Sequence, residues 1–114
     1  MDQIPKDAKL IEVSGSTVDF YEVNNSDEIS YYFDTSECMP PEPMINAMAG
    51  LQILKENNKL IMINHKPPMG LFPRIQKDFN YEIIECKDGI HLVIFSLKKG
   101  TTNQTDFSQT SCNG

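Results

Sequence analysis

The sequence predicts an α+β domain, a two-layer sandwich whose core runs β-α-β-α-β-β, and three observations carry that expectation. Short apolar runs rich in β-branched or aromatic residues recur at Ile29–Phe33, Leu60–Ile63 and Ile90–Leu97. Between the first two, Met44, Ala47, Met48, Leu51 and Leu54 recur at helical spacing on one stripe. Ahead of the last run, Lys87-Asp88-Gly89 supplies the positive backbone angles that a tight hairpin demands. The expected sheet is mixed and four-stranded, with two helices on one face and an N-terminal hairpin as a candidate extension.

A chain of 114 residues is the size of one domain. The expected division is an N-terminal extension over 1–27, the sandwich over 28–99 and a tail over 100–114. In the extension, Lys9–Val13 and Thr17–Val23 read as strands around the turn Ser14-Gly15-Ser16. Asn24-Asn25-Ser26-Asp27 then breaks the chain before the Ile29–Phe33 strand.

Pro40, Pro41 and Pro43 precede the helical stripe, where a missing amide hydrogen costs nothing, and Glu42 complements the positive end of the helix dipole. Lys55 suits the far end, and Asn57-Asn58 reads as the stop. The continuous run Leu60–Ile63 is of the kind found in strands covered on both faces, with His65 just beyond it. After the loop Lys66–Gly70, a second helix is expected over 71–79 with Leu71, Phe72, Ile75 and Phe79 facing inward. Strands at Tyr81–Cys86 and Ile90–Leu97 complete the unit, with His91 exposed or paired across strands. The tail is polar, lacks aliphatic residues and is expected to be disordered.

The formal net charge is −6, with the acids crowded into the first half against Lys6, Lys9 and Lys55 alone. Such a face repels phosphate backbones, and the second half offers scattered lysines and Arg74 without a basic stripe, so nucleic-acid binding is not expected. No apolar run approaches the roughly 20 residues that span a bilayer, and the first residues do not read as a signal peptide. The expectation is a cytoplasmic protein without a membrane partner, a monomer or weak dimer. The three cysteines, Cys38, Cys86 and Cys112, are odd in number and widely spaced, which indicates neither a disulfide framework nor a paired-thiol metal site. The Asn24 and Asn103 acceptor tripeptides carry no weight without secretion.

The element order, with a strand ending in Asp34 and a proline-rich turn into the helix, resembles TusA/SirA-like domains over about Ile29 to Lys98. The stretch Asp34-Thr35-Ser36-Glu37-Cys38-Met39-Pro40-Pro41-Glu42-Pro43-Met44, followed by a strand reaching His65 and a proline-containing loop, is similar to an uncharacterised DUF branch of that superfamily. That branch commonly reads Pro-Pro-Glu-Pro at the turn and places a histidine after the strand. The sulfur carriers instead read Cys-Pro-x-Pro, where the helix dipole stabilises thiolate and persulfide. Aligned on the prolines, their cysteine falls on Pro40, so the resemblance implies a shared scaffold and speaks against a shared reaction.

Cys38 is the alternative nucleophile, but Asp34, Glu37 and Glu42 oppose its thiolate, and it equally reads as a small apolar filler. His65 is the first candidate for a functional residue, beside a structural reading in which it caps loop carbonyls. Cys38, Met39, Met44, His65 and Met69 are candidate soft-metal donors, although Met44 and Met48 also read as helix core. No serine-nucleophile motif, phosphate-binding glycine loop or paired-carboxylate signature occurs, and no cofactor is implied. The functional expectation is a non-enzymatic binding or interaction module for an unknown protein or small molecule. The loop containing Pro40 to Pro43 and the loop from His65 to Gly70 would form its shared surface, with His65, Pro40, Glu42 and Met69 as ligand-binding residues and further apolar contacts from Pro67, Pro68, Leu71 and Phe72.

Overall fold

The structure, a computed structural model, describes residues 4–98. Readings that concern the 100–114 tail, including Cys112 and Asn103, lie outside the described residues. The described chain is α+β, with β1 Lys9–Ile11, β2 Phe20–Asn25, β3 Glu28–Asp34, α1 Glu42–Leu51, β4 Asn58–Asn64, α2 Phe72–Ile75, β5 Phe79–Glu85 and β6 His91–Leu97. One mixed sheet holds all six strands in the order β1-β2-β3-β4-β6-β5, so the N-terminal strands lengthen the expected four-stranded sheet. Only β3 and β4 run parallel, and every other neighbouring pair is antiparallel.

Register decides which side chains reach the helices. Paired residues share a face, so Phe20, Phe33 and Met62 lie on one side, as do Tyr31, Leu60 and Phe95. Both helices pack there: Met44, Ala47, Met48 and Leu51 of α1 and Phe72 and Ile75 of α2 belong to the same buried cluster. Phe20 stacks on Phe33 with ring centroids 4.7 Å apart, and Phe72 lies parallel to Tyr81 at 3.9 Å.

The expected three-residue turn between the first two strands does not join them. Ser16 does close a local turn, its amide and hydroxyl both donating to the Val13 carbonyl. The next amides, however, leave the hairpin: Thr17 N and Val18 N donate to Asn46 Oδ1 at 2.7 and 3.3 Å. The Asn46 Nδ2 group donates to Thr17 Oγ1 and to the Glu42 carbonyl, so this fully buried amide is bonded at both ends. Residues 12–19 therefore cross the outer side of α1, and the strands shorten to Lys9–Ile11 and Phe20–Asn25. The tight hairpin forms one connection later, where Asn25 pairs with Glu28 around Ser26, whose φ is 49°.

Two helix boundaries differ from expectation. Helix α1 stops at Leu51, so Lys55 is not in its last turn. Asn57 still marks the way into β4, with a φ of 68°. The expected helix over 71–79 is confined to Phe72–Ile75, and Phe79 opens β5 opposite Leu97. Leu71, Phe72, Ile75 and Phe79 are all buried as their spacing requires. Asp88 and Gly89 adopt positive φ angles of 62° and 75° at the last hairpin.

Gly50 marks the closest approach of α1 to the sheet. A Cβ there would lie 2.8 Å from a Leu60 methyl and 2.9 Å from the Phe20 ring, both fully buried. Alanine at a helical glycine ordinarily stabilises by about 1 kcal/mol. Here overpacking reverses the sign, and we expect Gly50→Ala to lower stability by about 1–3 kcal/mol in urea unfolding. Asn46→Ala removes the acceptor of the part-buried Thr17 and Val18 amides and is expected to cost about 1–3 kcal/mol in the same measurement.

Candidate functional site

Because β3 and β4 are parallel neighbours, their carboxyl ends, Asp34 and Asn64, emerge on the same edge of the sheet. The loops that leave them, into α1 and into α2, must therefore face each other. Crevices of this kind, beyond the carboxyl ends of parallel strands, are where such sheets place ligands.

The first loop is fixed by its own backbone. Ser36 N donates to Asp34 Oδ1 at 2.8 Å, Cys38 N to the Thr35 carbonyl and Glu42 N to the Met39 carbonyl. The Pro40–Pro41 peptide is cis, and Pro41 stands at the start of α1. The second loop is tied back by Asn64, which is 6% exposed and donates from Nδ2 to the Lys66 carbonyl at 2.9 Å. Thr35, buried below, places its hydroxyl 3.2 Å from the Ile63 carbonyl and 3.3 Å from Asn64 Oδ1, coupling the two strand ends.

Between the loops lies a cleft of about 220 Å³. Pro40, Pro41, Pro43 and Met44 form one wall, and Asn64, Lys66, Pro67, Pro68, Met69 and Gly70 the other. The wall residues are mainly prolines and methionines, with one asparagine and one lysine.

Pro40 and Met69 thus line the cleft, and Met69 is 65% exposed at it. His65 and Glu42 are not lining residues. The His65 side chain is exposed, and its carbonyl accepts from His91 Nδ1 at 2.8 Å. His91 also reaches across to its strand partner Glu85, with Nε2 3.8 Å from Oε2. The Glu42 carboxylate turns to the 12–19 loop and accepts from Thr17 Oγ1 at 2.8 Å. Leu71 and Phe72, at the start of α2, are buried core residues and do not supply the outer apolar contacts expected of them.

Of the candidate soft-metal donors, Met44 and Met69 line the cleft, and Cys38, Met39 and His65 do not. Among the described residues no group of three or more His, Cys, Asp or Glu side chains is placed to hold a metal ion. Lys66 lies in the His65–Gly70 loop expected at the surface but was not singled out, and Asn64 falls just outside that loop. The available signal was a polar residue closing an otherwise apolar strand.

Cys38 is half-buried in the turn before α1. Burial pushes its thiol above the ordinary range, and the carboxylates of Glu42, Asp34 and Glu37 push the same way. The first amides of α1 are meanwhile taken by backbone oxygens, Ile45 N by the Pro41 carbonyl among them. A thiol that deprotonates late is a poor nucleophile at neutral pH.

We expect Cys38 to alkylate with iodoacetamide more slowly than a model thiol at pH 7, with its pH–rate midpoint displaced upward. Peptide-resolved mass spectrometry reads this, and a rate equal to or above that of the model thiol would refute it. The chain matches no protein-family model, no curated protein and no solved structure among those compared.

Proposed function

We propose that the protein is a small non-enzymatic binding module on a TusA/SirA-like scaffold, acting in the cytoplasm through the cleft between Pro40–Met44 and Asn64–Gly70. The observation that carries this reading is the lining itself: five of the chain's seven prolines and two of its six methionines wall one cavity. Proline rings present apolar faces without amide donors, and their fixed φ leaves little conformational freedom to lose when a ligand enters. Methionine adapts to irregular shapes, so rigid and adjustable walls are combined.

The size of the cavity bounds the ligand. A cavity of about 150 Å³ binds benzene, and drug-sized molecules occupy about 300–1,000 Å³. At about 220 Å³ the cleft suits one ring or one branched aliphatic group with a small substituent. No cysteine, histidine, serine or carboxylate lines it, which favours holding a ligand over transforming it. Sulfur carriage by Cys38 is the competing reading, and the raised thiol weighs against it.

Toluene tests the cleft directly by titration against the full chain under ¹H–¹⁵N correlation spectroscopy. Shifts should concentrate on the amides of Met44, Asn64, Lys66, Met69 and Gly70. Unmoved amides, or shifts spread over the opposite face of the sheet, would overturn the reading.

A further inference from the structure

The polar groups of the cleft narrow its ligand to a chemical class. Lys66 is its one charged wall residue, and among the described residues that ammonium has no carboxylate partner. The chain carries sixteen acidic residues against ten basic ones, yet no acid lines the cleft. Lys59, by contrast, pairs with Glu28 on the sheet. Lys66 is exposed at the rim of an apolar cavity and unpaired among the described residues, so an anionic group on a ligand seated there would meet it without competition from a protein carboxylate.

Asn64 adds a second polar group. Its buried amide spends one Nδ2 hydrogen on the Lys66 carbonyl and keeps another for which the described residues provide no acceptor. A carboxylate oxygen satisfies such a donor while its partner oxygen meets the lysine. The cleft has only one cation to offer, and the surrounding net charge of −6 disfavours a dianion.

We infer that the cleft binds a compact monocarboxylate, an apolar ring or branched chain of benzoate size whose carboxylate pairs with Lys66. The inference rests on the proposed reading of the cleft as a binding site, and it adds the charge and the class of the ligand. The apolar body lies among Pro40, Pro43, Pro68 and Met69, and the carboxylate lies toward Lys66 and Asn64.

The test is a parallel titration of the full chain with benzoate, benzyl alcohol and toluene at pH 7, read on the same five cleft amides. Benzoate should bind about fivefold more tightly than benzyl alcohol, the upper range for an exposed lysine pair. That preference should fall to parity in Lys66→Met and in Lys66→Gln, and it should shrink in 1 M salt, where screening acts within about 3 Å. Equal binding of benzoate and benzyl alcohol at the cleft would overturn the carboxylate inference and leave the binding site standing. Silence from all three probes would overturn both. A benzoate preference that survives both lysine substitutions would also overturn the inference, because the anion would then be held elsewhere.

Discussion

The depth at which α1 sits on the sheet is set by the absence of a side chain at Gly50, and the rest of the architecture follows from that contact. With nothing between the helix backbone and the Leu60 and Phe20 side chains, α1 lies low over β2 and β4. Its start is thereby held beside the end of β4, and the proline turn faces the loop that follows Asn64. Close packing makes this a constraint and not merely a preference, because Leu60 and Phe20 are themselves fully buried and a shift of either disturbs other core contacts. Asn46 fixes the other side of the same helix. Its amide replaces the ladder hydrogen bonds that Thr17 and Val18 would have made in a hairpin, so the 12–19 loop becomes a strap over α1. Helix α1 is consequently buried around most of its circumference, with Asn46, Ala49 and Gly50 as enclosed as Met44, Ala47 and Met48.

The cleft is a product of strand direction. Two parallel strands send their following loops to the same edge, and here both loops are rich in proline. The hydrogen-bonding capacity near that edge is largely spent internally: Asp34 on Ser36, Glu42 on Thr17 and the His65 carbonyl on His91. What remains at the cavity is mainly apolar surface, with Asn64 and Lys66 as the polar residues of its wall. The thiol nearby sits in a field of three carboxylates, which suits a structural residue better than a nucleophile.

Helical periodicity, alternation and turn residues were enough to find the strands of the main sheet, the apolar face of α1 and the last hairpin at Asp88-Gly89. Each is a local signal, and tertiary packing agreed with it. The four apolar residues of the 71–79 stretch were correctly placed inside, although their spacing could not say that Phe79 belongs to a strand. A residue at the junction of two elements satisfies either period, and its pairing with Leu97 is a long-range fact. The rim of the cleft was legible in the same partial way: prolines and Met69 could be assigned to facing loops, but His65 and Glu42 could not be excluded from them.

By itself the sequence determined the α+β class, the positions of the main apolar stripes and the proline-rich entry to the first helix, because these depend on residue type and short spacing. Tertiary structure alone decided that the N-terminal strands join the sheet, that Asn46 diverts the 12–19 loop over α1, and that Asn64 and Lys66 are the polar groups of the cleft. The physical reason is that each of those outcomes is a contact between residues distant in the chain. Which donor an acceptor meets, and which side chain turns into a cavity, is settled by the register and depth of packed elements.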